Sequence, residues 1–165
     1  METQGTNLFI VDDNPLVVAS LKNYLQNKFG DGIKISTFDN GESCLQKLDD
    51  KTQIVILDYV MKGINGLEIL KRIKRINPKT EVIMLSGNED VAVAIESYRM
   101  GARDFVIKGP GAWQKITKTV YYIVTAPIRI LVREFGVSKF MAIFLMTFIT
   151  MGVVVAIVLH YMNKN

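Results

Sequence analysis

The stretch Asn7-Leu8-Phe9-Ile10-Val11-Asp12-Asp13-Asn14-Pro15 sets an apolar run against two adjacent carboxylates, then a helix cap and a proline suited to a first helical turn. The same grammar recurs downstream. Residues 53–57 (Gln-Ile-Val-Ile-Leu) run into Asp58, residues 81–85 (Glu-Val-Ile-Met-Leu) into Ser86-Gly87, and residues 104–107 (Asp-Phe-Val-Ile) into Lys108. Short, near-continuous apolar runs of this kind suit strands buried on both faces of a parallel sheet. Residues 33–38 (Ile-Lys-Ile-Ser-Thr-Phe) alternate instead, as an edge strand does. Between the strands lie helical spacings: Leu16, Ala19, Leu21 and Leu25; Leu67, Leu70, Ile73 and Ile76 after Asn65-Gly66; Val91, Ala94, Ile95 and Tyr98, ended by Gly101; and Trp113, Ile116, Val120 and Ile123 after Pro110. A further surface helix carries Cys44, read as an ordinary small side chain. Five strands alternating with five helices predict an α/β domain, a doubly wound five-stranded parallel sheet with right-handed crossovers.

That topology gathers chemistry at the carboxyl ends of the strands, beside the point where strand order reverses. Asp12, Asp13, Asp58, Ser86 and Lys108 all stand at such ends. Three carboxylates brought together repel, and either share protons or bind a cation. A hard divalent ion such as Mg²⁺ answers this, because it takes an all-oxygen shell of carboxylates, waters and phosphate oxygens. With Mg²⁺ on one side and Lys108 on the other, the charge of a phosphoryl group on Asp58 is neutralised, and Ser86 can donate to one of its oxygens. The chain has no Gly-rich phosphate loop and no nucleotide fingerprint, so the phosphoryl donor is expected to be another protein or a small phosphoanhydride.

The whole chain has 165 residues, a length for about one domain, and a formal net charge of +4. Its hydrophobic content of 49% excludes a disordered or purely basic nucleic-acid-binding chain, and a single cysteine excludes a disulfide framework. The averages mislead, because up to residue 111 there are 14 Lys+Arg against 15 Asp+Glu, and beyond it 6 against 1. Residues 140–159 carry no charge at all, and as a helix would extend about 30 Å, the thickness of a bilayer core. They read as a single transmembrane helix. The N-terminus lacks a basic segment followed by an apolar one, so no cleavable signal peptide is expected, and Arg129, Arg133 and Lys139 place the preceding residues in the cytoplasm under the inner membrane. The expected organisation is a soluble domain over residues 1–124, an amphipathic connector over 125–139 beginning near Pro127, a membrane helix over 140–162 and a short tail over 163–165. Gly152 and Ala156 give a small-xxx-small spacing at which two membrane helices pack, a route to a homodimer.

The soluble part resembles the receiver domain of bacterial response regulators, over residues 7 to about 124. The resemblance is carried by Val11-Asp12-Asp13-Asn14, by Leu57-Asp58-Tyr59-Val60-Met61 with Gly63-Ile64-Asn65-Gly66-Leu67-Glu68, by Met84-Leu85-Ser86-Gly87 and by Gly101-Ala102-Arg103-Asp104-Phe105-Val106-Ile107-Lys108. It implies a flavodoxin-like (βα)5 fold in which Asp58 accepts a phosphoryl group from a phosphohistidine on a histidine kinase or phosphotransfer protein. Asp13, Asp58 and the Val60 carbonyl would hold Mg²⁺, with Asp12 acting mainly through water. Ser86 would be the switch hydroxyl, Lys108 the phosphate-pairing lysine and Phe105 the aromatic that turns inward on activation. The output would be a phosphorylation-dependent contact with a downstream protein, not nucleic-acid binding and not enzymatic turnover. Two positions depart from the family pattern. Lys62 stands where a proline is usual, and Gly109 separates Lys108 from Pro110, where proline usually follows the lysine directly through a cis bond. A cis bond before Gly109 costs about 2.5–4 kcal/mol, so that loop is expected to sit differently, and Lys62 is expected to add positive charge near the acids. These departures motivate the alternative of a membrane-anchored pseudo-receiver that binds a partner regardless of phosphorylation.

Overall fold

In the computed structural model, which describes residues 5–126, each strand is followed by a helix. The order is β1 (Thr6–Val11), α1 (Pro15–Phe29), a 3-10 turn (Gly30–Gly32), β2 (Ile33–Phe38), α2 (Gly41–Lys47), β3 (Thr52–Asp58), α3 (Gly66–Ile76), β4 (Glu81–Ser86), α4 (Val91–Arg99), β5 (Asp104–Ile107) and α5 (Ala112–Val124). The chain divides by its contacts into a unit spanning Glu2–Tyr121, which holds all five strands, and a second one from Tyr122 onward. The proposed connector, apart from residues 125–126, and the proposed membrane helix and tail lie outside the described residues. Among the described residues, no helix is long and apolar enough to cross a membrane.

All strand pairs are parallel, in the order β2-β1-β3-β4-β5, so the expected sheet is found with residues 33–38 on one edge. The order reverses between β1 and β3, which carry Asp12-Asp13 and Asp58 on their carboxyl ends. Strand alternation sends Phe9, Val11, Val55, Leu57, Val82, Met84 and Phe105 into one core with Cys44 of α2, Ile69, Leu70 and Ile73 of α3 and Val93 of α4. The intervening residues Leu8, Ile10, Ile54, Ile56 and Ile83 are equally buried and turn to the opposite face. On α1, Leu21 and Leu25 are buried, and the Trp113 Nε1–H of α5 donates to Ser20 Oγ at 3.1 Å, tying the two helices together.

Two readings of helical faces change. Cys44 is not a surface residue: it is fully buried in the core, where burial pushes its thiol up to about 12. Of the α4 stripe Val91, Ala94, Ile95 and Tyr98, Ala94 packs against the core while Val91, Ile95 and Tyr98 are 71%, 49% and 50% exposed, and Val93 and Ser97 are the buried residues. The helix carries apolar or small residues on both sides, so its period was legible and its inward side was not. Leu16 of α1, at 78% exposure, is likewise outside the core.

Candidate functional site

Helices α1 to α4 are each capped by a short polar side chain, and this fixes the loops that hold the site. Asn14 Oδ1 accepts from the Leu16 and Val17 amides, and Pro15 occupies the first turn. Because Asn14 does the capping, Asp12 and Asp13 are left for other work. Asn65 Oδ1 accepts from Glu68 N–H at 3.1 Å, and Asp90 Oδ1 from Ala92 and Val93 at 2.9 and 3.2 Å. The sheet's bonding also runs past the strands into the site: Asp12 N–H donates to Phe38 O, Tyr59 N–H to Leu85 O and Lys108 N–H to Ser86 O. Gly66 closes the acceptor loop from below. A Cβ there would stand 2.4 Å from Asp58 O and 2.8 Å from Tyr59 Cα, so only glycine permits this approach.

Carboxylate oxygens of Asp12, Asp13 and Asp58 lie within 4.8 Å of one another. Lys108 Nζ stands 2.8 Å from Asp12 Oδ2 and 3.0 Å from Asp58 Oδ1. Those two oxygens are buried, and their sole partner among the described residues is this ammonium, held close but at poor hydrogen-bond angles. Asp12 Oδ1 accepts from Asn14 N–H at 2.9 Å, and Asp13 Oδ2 accepts from Lys62 N–H at 3.2 Å. Burial raises the Asp58 carboxyl above the ordinary carboxylate range; Asp12 adds to this, and Lys108 with the Val60 N–H offsets it only in part. Burial is also the largest influence on Lys108 and depresses it, but Asp12 and Asp58 together outweigh burial and hold the ammonium above the usual lysine value. One ammonium thus faces three acids. Two under-satisfied buried oxygens beside a third carboxylate are the donor set a hard, oxygen-loving divalent cation requires, so the residues present fit Mg²⁺.

Ser86 is buried, and its Oγ–H donates to Asn88 O at 3.1 Å while accepting from Asn88 N–H at 3.2 Å. Phe105 is already inside, in the core below the site. Val60 is the outlier: its side chain is 63% exposed, and its amide bonds the Asp58 carboxylate. The Lys108-Gly109 peptide is trans, and Lys108 reaches both acids without the proline that usually follows it. The Lys62 side chain is exposed and forms no ion pair among the described residues; its contribution to the site is the backbone N–H, which a proline would lack. One participant, Asn88, which fixes Ser86, escaped the sequence reading. At the opposite end of the sheet, away from the site, Asp104 gathers Tyr98 Oη–H at 3.2 Å, Thr119 Oγ1–H at 2.7 Å and Lys115 Nζ at 3.3 Å.

A cavity of about 740 Å³ adjoins the acids, walled by Pro15, Val18 and Ala19 of α1 and by Thr37, Phe38 and Ser43. It gives a partner side chain a route to the site.

The match with known proteins agrees with this geometry. The response regulator receiver domain family matches residues 8–120, and the chain belongs to that family. Among its relatives, the DNA-binding transcriptional regulator NtrC of Escherichia coli K12 is 35% identical over 102 residues, which cover 61% of this chain and 21% of NtrC. The chemotaxis protein CheY of Thermotoga maritima is 30% identical over 106 residues, 63% of this chain and 86% of CheY. The chain therefore spans about a fifth of the transcriptional regulator and most of the stand-alone one. Among solved structures, the BeF3-activated DrrB receiver domain superposes with a TM-score of 0.65 at 26% identity, over 73% of this chain and 98% of that one. A CheX-CheY-BeF3-Mg²⁺ complex from Borrelia burgdorferi gives 0.63 at 26% identity, over 71% and 87%. The chain thus contains the receiver domain of a response regulator, a class phosphorylated on aspartate. Receivers bind Mg²⁺ at an acidic pocket and interact with histidine kinases or phosphotransfer proteins.

Proposed function

We propose that Asp58 is the phosphoacceptor, served by Lys108, Ser86, Phe105 and a Mg²⁺ ion held by Asp13, Asp58 and the Val60 carbonyl, with Asp12 behind them. The observation that carries this reading is the meeting of three carboxylates with Lys108 Nζ at 2.8 and 3.0 Å on the reversal point of the sheet. An Asp58 oxygen attacks the phosphorus of a phosphohistidine, the P–N bond breaks, and the imidazole leaves with a proton while an acyl phosphate forms. When bound, Mg²⁺ supplies positive charge to the phosphoryl oxygens. Lys108 transfers its pairing from the carboxylate to the new phosphoryl group. Ser86 Oγ then exchanges Asn88 O for a phosphoryl oxygen, one hydrogen bond for another, so the rearrangement shifts a population at small net cost. Phe105, buried beneath, is already placed for that shift.

In this reading the chain is a phosphoacceptor and not a turnover enzyme. Residues 140–159 anchor it as a single-pass protein of the inner membrane with the receiver in the cytoplasm, and its output is a protein contact rather than DNA binding. The uncharged run of residues and the flanking Arg129, Arg133 and Lys139 support the anchor. Incubating the full chain in lipid nanodiscs with acetyl phosphate and Mg²⁺ is expected to add one alkali-labile phosphoryl group by intact mass. An unmodified chain, or a modified Asp58→Asn variant, overturns the assignment. Retention in the pellet after alkaline carbonate extraction tests the anchor independently.

A further inference from the structure

Within Glu2–Tyr121 the two ends of the sheet carry opposite charge. The end where the strands finish holds Asp12, Asp13, Asp39, Asp58, Glu89 and Asp90 against Lys62 and Lys108. The end where they begin presents Lys28, Lys34, Lys51, Arg75, Lys79 and Arg103, all exposed and none in an ion pair among the described residues. Lys28 and Arg75 lie in last helical turns, where a base is explained by the negative end of the helix dipole. The other four sit on the β2 strand or in the loops before β3, β4 and β5, where they cap no helix. Acids at this end are partly engaged: Asp49 accepts from Thr52 Oγ1–H and the Lys51 N–H, Asp104 from Tyr98 and Thr119, and Glu81 at the start of β4 interacts with Lys74. Asp31 and Asp50 stay open on the walls of a cavity of about 950 Å³, alongside Lys34, Lys51 and the amides of Asn7 and Gln53.

The chain also leaves the sheet in this direction. Lys115 Nζ donates to Phe105 O at 2.6 Å and Thr119 Oγ1–H to Asp104 Oδ2 at 2.7 Å. So α5 runs antiparallel to β5 and has reached the first residue of that strand by Thr119. The uncharged run 140–159 lies downstream of this exit. A tethered domain meets its membrane at high effective concentration, and bases near an anionic surface are attracted while acids are repelled.

We propose that the basic end, with Lys34, Lys51, Lys79 and Arg103 at its loops, rests on anionic phospholipid headgroups, so that the Asp58 pocket points away from the bilayer toward soluble partners. This deepens the membrane reading above and rests on it. The excess of exposed bases at one end and of acids at the other favours this orientation.

The test uses the full chain in nanodiscs made with phosphatidylcholine alone or with added phosphatidylglycerol. A fluorophore is attached at Pro78→Cys on the basic end or Glu89→Cys on the acidic end, the buried Cys44 staying unlabelled. Quenching by headgroup spin-labelled lipid is expected to be several-fold stronger at 78 than at 89 with phosphatidylglycerol. It should fall to the level at 89 without that lipid, at high salt, or in the Lys51→Glu/Lys79→Glu/Arg103→Glu variant. Equal quenching at both sites, or quenching at 78 that ignores lipid charge, overturns the proposal. If the chain fails to enter nanodiscs, the anchor reading fails separately; sedimentation with phosphatidylglycerol vesicles but not phosphatidylcholine vesicles then still supports the basic face, and no sedimentation overturns it. Tighter binding to duplex DNA than to phosphatidylglycerol vesicles at the same salt reassigns the face and overturns it too.

Discussion

Lys108 is the only cation in contact with Asp12 and Asp58 among the described residues, and the free site is strained by its surplus of acid. A carboxyl whose pKa is raised on folding, as burial raises Asp58, stabilises the fold while protonated and loses that contribution as pH rises through its folded value. Asn at this position carries no charge to desolvate at any pH. Asp58→Asn is therefore expected to stabilise the metal-free protein by about 1–2 kcal/mol at neutral pH, with the advantage vanishing at pH values below the ordinary carboxylate range. Lys108→Ala leaves two buried acids without their cation and is expected to cost about 3 kcal/mol. Urea unfolding in EDTA across pH checks both signs. Lys62 gives a sharper contrast, because its backbone and not its side chain touches Asp13. Lys62→Ala keeps that N–H and should leave Mg²⁺ affinity within about twofold, whereas Lys62→Pro removes a bond that orients a ligand and should lower it about tenfold by calorimetry. Lys62 was read from the sequence only as added charge near the acids; its backbone donation to Asp13 has no signature in residue type.

The elements were legible where local chemistry and burial agree. The apolar runs at 7–11, 53–57, 81–85 and 104–107 became central or edge strands almost residue for residue, since a strand covered on both faces leaves no place for a polar side chain. Asn14-Pro15 and Asn65-Gly66 marked helix starts because capping is a short-range event. What failed was the choice of inward face on α4 and the depth of α2, which depend on neighbours remote in sequence: Cys44 is buried by α3 and the sheet, and Val93 displaced the Val91–Ile95–Tyr98 stripe. The glycine starting α3 marked the helix start in the sequence and proves also to be a steric requirement of the acceptor strand. Gly66→Ala, whose Cβ would meet backbone, is expected to cost about 1–3 kcal/mol and to slow phosphorylation of Asp58. Gly41→Ala meets side chain rather than backbone, Cγ1 and Cδ1 of the fully buried Ile69, so the core must repack; it is expected to destabilise as well but to leave phosphorylation of Asp58 unchanged. Paired urea titrations and acetyl-phosphate time courses separate the two.

At the scale of the whole receiver, the site's surplus of acid couples ion binding to global stability. Asp12, Asp13 and Asp58 sit on the ends of β1 and β3, the two strands at the centre of the pairing order or beside it, so they come together only in the folded chain. An ion that binds the native state alone stabilises it by RT ln(1 + [L]/Kd), about 2.7 kcal/mol at a hundredfold excess over Kd. For a domain of this length each kcal/mol moves Tm by about 3–6 °C, so saturating Mg²⁺ should raise Tm by about 10 °C and EDTA should reverse it. Asp13→Asn and Asp58→Asn should each shrink the Mg²⁺ increment, while Ser86→Ala, which touches no metal oxygen, should leave it intact and impair only the response to phosphorylation. Differential scanning calorimetry of the three variants with and without Mg²⁺ separates ion binding from switching. An equal Mg²⁺ increment in all three would place the ion elsewhere than among these acids.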